Sequence, residues 1–266
     1  MQAFDWHRPA SLAEARALLG AGGGDAALIA GGHTLLPAMK SGLRVPSALI
    51  DLSGVPGLDG IAIEGDRLVV GAMTRHRAIE TSTLVRERLP MLADMAALVG
   101  DPAVRARGTL GGALANNDPA ADYPAAVLAL AAEVHTDRRT IAADDFFEGM
   151  FATALAEDEI VTAVVFPCVP SAYAKYRHPI SRYALAGVCV ARHPGNVRVA
   201  VTGAGSGVFR WSAAETALDA AFDVAAIEAL RPDPGDLSSD LHASAGYRAQ
   251  LCSVMLAQAV HNLSTA

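Results

Sequence analysis

The sequence predicts an α+β protein made of three successive units, and three observations carry that reading. Helix and strand signals alternate over residues 1–55, a Gly65-Asp66 turn between apolar runs opens a hairpin within residues 56–169, and over 170–266 a series of strand signals gives way to helices.

Ser11 stands three residues before Glu14, the spacing of a capping box, and Leu12, Ala15, Leu18 and Leu19 recur at helical intervals. The glycine-rich stretch 20–24 closes that helix. Residues 26–30 are a short apolar run, read as a buried strand. Gly31-Gly32-His33-Thr34 then turns the chain into a helix reaching Lys40, and 48–52 is a second strand. Strands separated by a helix favour a parallel sheet.

Residues 61–64 and 67–70 form the hairpin of the second unit. Helices are expected at 75–81 and 91–99, a glycine-rich stretch at 108–117 and an alanine-rich helix at 123–132, followed by a hairpin over 134–141 and a strand at 160–166. Pro167 and Pro170 mark the next boundary. Beyond them, strands at 173–177, 182–191 and 197–202 make a three-stranded antiparallel sheet, with a short strand at 208–211. Helices are expected at 213–222, 224–230 and 241–263.

With 266 residues, 52% hydrophobic and 18% charged, the chain can bury a sizeable core without disulfides or metal. A net charge of −7 and the lack of any basic run argue against nucleic acid as a partner. The apolar stretches at 125–132 and 183–191 fall short of the ~20 residues that span a bilayer, so an integral membrane protein is not expected. Met1, Gln2, Ala3, Phe4, Asp5 and Trp6 lack the layout of an export signal, and a cytoplasmic location is expected. Cys168, Cys189 and Cys252 lie far apart and are read as small buried apolar side chains. Their spacing suits neither zinc nor an iron–sulfur cluster within this chain.

Two glycine pairs could carry chemistry. The strand ending at Ala30 runs into Gly31-Gly32-His33-Thr34-Leu35, and Pro37 suits the first turn of a helix. Such a turn aims backbone N–H groups in one direction, and glycine permits both unusual φ and the close approach of a phosphate. The second stretch, Thr109-Leu110-Gly111-Gly112-Ala113, leads to Asn116, Asn117, Asp118 and Asp122. Two donor-rich turns suit a ligand with two joined phosphates; two ordinary tight turns are the alternative. Neither stretch matches G-x-G-x-x-G or the P-loop.

The opening Phe4, Asp5, Trp6, Arg8, Pro9, Ser11, Leu12, Glu14 and Ala15, the run from Ala30 through Leu35 to Lys40, and the run from Thr109 through Asn116, Asn117, Asp118 and Asp122 to Pro124 resemble the medium, FAD-binding subunit of the molybdenum hydroxylases, the xanthine dehydrogenase and aerobic carbon monoxide dehydrogenase family. The stretches 199–210 and 239–248 resemble the C-terminal domain of carbon monoxide dehydrogenase-type flavoproteins, so the resemblance covers essentially the whole chain. It implies an FAD-binding domain of two αβ subdomains (PCMH-type) and a smaller α+β C-terminal domain. It also implies that Ala30, Gly31, Gly32, His33, Thr34 and Leu35, with Thr109, Leu110, Gly111, Gly112 and Ala113, hold the pyrophosphate and adjoining parts of FAD. Asp122 matches an acidic position near the cofactor, Val161 an apolar position on the adenine side, and Lys175 and Tyr183 positions lining the flavin cavity. His33 matches a position beside the phosphates, away from the ring. Two residues depart from the pattern. Ala113 replaces a polar side chain, removing one hydrogen bond to FAD, and Arg182 stands where many relatives carry Asp, placing a positive charge where they have a negative one.

The function implied is that of the flavoprotein component of an oxidoreductase, an electron-transfer subunit with no catalytic side chain assigned: a small subunit with two [2Fe–2S] clusters and a large subunit with the molybdenum cofactor feed electrons to FAD here. The flavin passes them to an external acceptor. The expected assembly is a dimer of heterotrimers. Two rival readings remain at this point: a self-contained FAD-dependent oxidoreductase of related fold, which needs a substrate acid or base in the same chain, and a module that kept the fold and lost FAD.

Overall fold

The computed structural model describes residues 2–265; Met1 and Ala266, the outer bounds of the expected division, lie outside them. In chain order, the first part holds β1 (Asp5–His7), α1 (Leu12–Ala21), β2 (Ala26–Ile29), α2 (Leu35–Lys40) and β3 (Ala48–Asp51). It continues with β4 (Ile61–Glu64), β5 (Arg67–Gly71), α3 (His76–Thr81), α4 (Thr83–Arg88), α5 (Pro90–Ala97), α6 (Pro102–Arg107), α7 (Leu110–Asn116) and α8 (Tyr123–Ala129). Next come β6 (Glu133–Thr136), β7 (Thr140–Ala142), α9 (Ala143–Phe146), β8 (Phe147–Gly149), β9 (Ala152–Thr153) and β10 (Val161–Pro167). The last part holds β11 (Ser171–Arg177), β12 (Ala184–His193), β13 (Asn196–Thr202), β14 (Phe209–Arg210), α10 (Ser212–Ala220) and α11 (Ala245–Thr265).

The first sheet is parallel, in the order β1-β3-β2. Its two faces divide by the period-2 rule: Leu49 packs with Ile29 and Met39 of α2, whereas Ile50 packs with Ala15 and Leu19 of α1. Helix α1 starts as expected, with the Ser11 hydroxyl accepting from Glu14 N–H at 3.2 Å; the Glu14 carboxylate reaches back to Ala10 N–H at 2.8 Å. Strand β1 is an addition to the sequence reading, an edge strand of three residues too short to show a period.

The second sheet is antiparallel, β4-β5-β10-β6-β7, and supports α3, α5, α7 and α8 through one large core. The third, β11-β12-β13-β14, contains the three expected strands and gains a fourth from the short segment, which pairs with β13. Helices α10 and α11 cover one face, through Val188, Val190, Val199 and Val201 against Leu218, Leu256 and Val260. The other face, with Cys189, Ala191 and Ala200, joins the core around α8. Burial on both faces explains the unbroken apolar run of β12.

Beyond β1, the short elements α4, α6, α9, β8 and β9 are also additions, and three expected segments take another form. Residues 110–116 are a helix rather than an open turn, because Thr109 caps it and the small glycines let it press on β5. Residues 224–230 yield only one turn of 3-10 helix, Ala225–Ile227, since Ile227 alone among them is fully buried in the core. The final helix begins at Ala245, not 241, because Asp240 accepts from His242 and Ala243 N–H and holds 240–243 as a turn. Cys189 and Cys252 are buried as expected; Cys168, just past the end of β10, is only partly covered.

One crossing positions the candidate site. The end of β5 and the start of α3 lie against the entry to α7: Leu110 N–H donates to Thr74 O at 3.0 Å, Gly111 N–H to Ala72 O at 2.8 Å, and His76 N–H to Gly108 O at 3.0 Å. A Cβ on Gly108 would sit 2.6 Å from His76 Nε2, and one on Gly111 2.5 Å from the Ala72 methyl. Only glycine allows this approach. His76 is buried in that contact, and burial first, then the charges of His33 and Arg105, lower its pKa from 6.5 to about 4.

The folded chain thus refuses a proton that the unfolded chain takes up, and stability falls as pH drops from 6.5 to about 4. That loss amounts to about 3 kcal/mol for one histidine. Urea denaturation at stepped pH should show it, and His76→Gln should flatten the profile over this window; an unchanged slope would contradict the assignment.

Candidate functional site

The turn after β2 emerges at the carboxyl end of a parallel sheet, where open α/β structures bind ligands. Gly32 adopts φ +73°. Gly31 lies directly on the other glycine stretch: a Cβ there would be 2.3 Å from Arg107 O and 2.7 Å from Gly108 Cα. A Cβ on Gly112 would come 3.7 Å from the Ala30 methyl. The two stretches, eighty residues apart in sequence, form one surface.

Their chemistry is unequal. In the second stretch Leu110 and Gly111 N–H are spent on Thr74 and Ala72, Gly112 N–H on the Thr109 hydroxyl at 3.2 Å, and Ala113 N–H on Thr109 O at 3.0 Å. In the first stretch, among the described residues, no protein acceptor meets the N–H groups of Gly31, Gly32, His33, Thr34 or Leu35. Thr34 precedes α2 without a side-chain cap bond, which leaves its hydroxyl available. Helix α2 has six residues, so the loop donors rather than a long helix dipole supply the positive potential. The second stretch shapes the site, and the first offers hydrogen bonds.

Beside them runs a cleft of about 950 Å³, lined among others by Arg8, Ala30, Gly31, Arg75, Arg107 and Thr109. Its size is that of a cofactor site. Arg8 lies 3.7 Å from Asp51, and Arg75 and Arg107 add charge to the same wall. The remaining sequence candidates are not on it. Val161 is in β10, buried in the core beside α7 and α8.

Asp122, Lys175 and Tyr183 belong to a second cluster. Asp122, at the entry to α8, is buried; its Oδ2 lies 2.9 Å from Lys175 Nζ and its Oδ1 accepts from the Tyr173 hydroxyl at 2.5 Å. Lys175 also donates to Leu98 O at 3.2 Å. Its side chain is therefore buried and paired, not a solvated strand residue. Burial pushes the Asp122 carboxyl up, while Lys175 and the Tyr173 hydroxyl pull it down. Tyr183 is half-exposed, and its phenol is raised by partial burial, then by the charges of Asp118 and Asp122. Arg182, at φ +64°, lies in the field of Asp101. Asp101 caps α6 through Val104 and Ala103 N–H, bonds that together with the charges of Arg182 and His33 hold its carboxyl below the usual range.

Sequence reading missed Tyr173, Gly187, Arg75 and His76. Tyr173 and Lys175 share one face of β11, so a buried Lys175 was a signal for Tyr173. Gly187 makes room for it: a Cβ there would meet the Tyr173 hydroxyl at 2.3 Å.

Among the described residues there is no cluster of three or more His, Cys, Asp or Glu able to hold a metal, and no helix is long and apolar enough to cross a membrane. The glycine surface, free N–H groups and arginine-lined cleft fit a diphosphate-bearing cofactor.

The sequence profile described as "FAD binding domain in molybdopterin dehydrogenase" matches residues 2–169. The chain is 38% identical to the carbon monoxide dehydrogenase medium chain of Hydrogenophaga pseudoflava, over 97% of this chain and 96% of that one. It is 37% identical to the nicotine 6-hydroxylase medium subunit of Paenarthrobacter nicotinovorans, over 93% of each. The structure of reconstituted CO dehydrogenase from Oligotropha carboxidovorans matches with a TM-score of 0.92 at 34% identity, covering 99% of this chain and 98% of that chain. The chain belongs to the FAD-binding medium subunits of the molybdenum hydroxylases, a family of oxidoreductase subunits, and is similar to those of carbon monoxide dehydrogenase.

Proposed function

We propose that this chain is the electron-transfer subunit of a cytoplasmic molybdenum hydroxylase of carbon monoxide dehydrogenase type, working with an iron–sulfur small subunit and a molybdenum large subunit in a dimer of heterotrimers. FAD, when bound, collects single electrons from the [2Fe–2S] clusters of the small subunit and delivers them to an external acceptor. The observation that carries this reading is the meeting of Gly31 with Arg107 and Gly108, which joins the two glycine stretches into one surface.

Within it, Gly31, Gly32, His33, Thr34 and Leu35 donate backbone hydrogen bonds to the diphosphate, and Thr34 adds its hydroxyl. Thr109, Leu110, Gly111, Gly112 and Ala113 shape the floor on which Ala30 and the ligand rest. Arg75 and Arg107 balance the diphosphate charge. Asp122, held by Lys175 and Tyr173, fixes the strand that leads to Tyr183, and Tyr183 covers the flavin. Val161 supports the adenine side from the core through its strand. The proposed units are 1–55 and 56–169, which share the cofactor, and 170–266, which supplies Lys175 and Tyr183.

Visible absorbance tests the site. The chain, or the complex containing it, should carry a flavin band that FAD restores after stripping. Gly32→Val, which forces a branched side chain into φ +73°, should weaken FAD binding by roughly a hundredfold with far-UV circular dichroism unchanged. A fully retained band in Gly32→Val paired with Gly112→Val would remove both stretches from the site.

Lys175→Met leaves a buried carboxylate without its cation. Thermal unfolding should show a loss of about 3–5 kcal/mol, and adding Asp122→Asn should recover most of it. Equal loss in the single and double variants would mean that Lys175 acts by packing alone.

A further inference from the structure

We propose that His178 is a positioning residue for Tyr183: its ring clamps the 178–183 loop into the shape that presents the tyrosine to the flavin. The proposal rests on the placement of Tyr183 given above. The loop joins β11 to β12 and closes on itself, with His178 N–H donating to Tyr183 O at 2.8 Å and Arg182 N–H to His178 O at 2.9 Å. Inside it, His178 Nδ1 accepts from Ile180 N–H at 3.2 Å and from Ser181 N–H at 3.1 Å. Arg182 is held at φ +64°, a conformation that a residue with a Cβ adopts only when its surroundings impose it. Ile180 is 87% exposed, so no apolar packing of that side chain holds the loop. The ring bonds do.

Those bonds dictate the proton positions. A nitrogen that accepts from two N–H groups carries no proton, so the neutral His178 ring has its proton on Nε2. That nitrogen lies 3.2 Å from Nδ1 of His242, which must then accept. His242 is itself anchored: its N–H donates to Asp240 Oδ1 at 2.8 Å, and Asp240 Oδ2 lies 2.7 Å from Nη2 of Arg248. Arg248 is buried in α11 and bonds Leu185 O and Gly203 O at 2.9 and 2.7 Å. A chain of polar contacts thus runs from the packed helix to the tyrosine loop.

The test compares wild type, His178→Ala and His178→Asn in the full chain. An Asn carbonyl can accept from the N–H groups two and three residues on, as in an Asx-turn, but does not titrate. Hydrogen-exchange mass spectrometry, corrected for intrinsic rates, should show protection of Ile180 and Ser181 amides in wild type. Protection should fall at least tenfold in His178→Ala and be retained in His178→Asn. With FAD added to the chain or its complex, His178→Ala should bind about threefold to tenfold more weakly, with His178→Asn near wild type. Equal protection in wild type and His178→Ala, or an Asn variant as open as the Ala variant, overturns the clamp. Lost protection with unchanged FAD affinity overturns its role in presenting Tyr183. Failure of wild type to bind FAD at all instead overturns the reading on which the proposal rests.

Discussion

The site's geometry depends on a contact of backbone on backbone: Gly31 packed against Arg107 and Gly108. No side chain fits between them, so only glycine at 31 lets the turn after β2 sit directly against the entry to α7. Much of the site's geometry follows from that contact. The parallel sheet delivers the turn at its carboxyl edge, and the antiparallel sheet delivers the entry to α7 through the bonds of Leu110 and Gly111 to Thr74 and Ala72. The same closeness buries His76 beneath Gly108, where its charge cannot be solvated. A titrating group is thus kept neutral at the floor of the site, and the region loses stability in acid for the same reason that it is tightly packed.

The two glycine stretches look alike in sequence but do different work, and the distinction comes from hydrogen-bond accounting. A peptide N–H already paired within the protein has little to offer a ligand. The second stretch spends its donors on Thr74, Ala72 and Thr109, so its glycines serve closeness; the first leaves its donors open, so its glycines serve both shape and binding. The Ala113 departure reads differently in this light. Its N–H is committed to Thr109 O, and a polar side chain there would have added a bond beside an already satisfied backbone. The Arg182 departure is likewise moderated, because Asp101 lies within its field.

Sequence carried the local features well. Capping at Ser11 and the hairpin at Gly65 depend on residues close together in the chain, and the parallel first sheet was legible through the alternation of strand and helix signals. Contacts across long separations were less legible. The sequence does not show that Lys175 is paired until Asp122 and Leu98 are placed beside it, and Gly187 carries no signal until Tyr173 needs its space. Helix boundaries failed where a side chain competes for backbone N–H groups: Asp240 draws 240–243 into a turn, and Thr109 draws a glycine stretch into a helix. In both boundary cases a local bond from a side chain to backbone N–H groups two or three residues on outweighed the propensity of the segment itself.

The comparisons separate what this chain does from what its complex acts on. Its identity is 38% to a carbon monoxide dehydrogenase medium chain and 37% to a nicotine 6-hydroxylase medium subunit, a difference too small to rank one substrate over another. A gas of two atoms and an aromatic heterocycle require unlike binding pockets, so two medium chains this similar to one sequence are not where either substrate is chosen. The residues here agree with that division. The first turn leaves backbone N–H groups open beside an arginine-lined cleft, Asp122 is engaged by Lys175 and Tyr173, and His76 is buried and neutral. A self-contained oxidoreductase needs an acid or base facing a substrate, and neither Asp122 nor His76 is placed to be one. As an FAD-binding subunit the chain supplies a rigid frame: two glycine stretches in direct contact, a buried Asp122–Lys175 pair that ties β11 to the entry of α8, and a loop before β12 closed by its own hydrogen bonds.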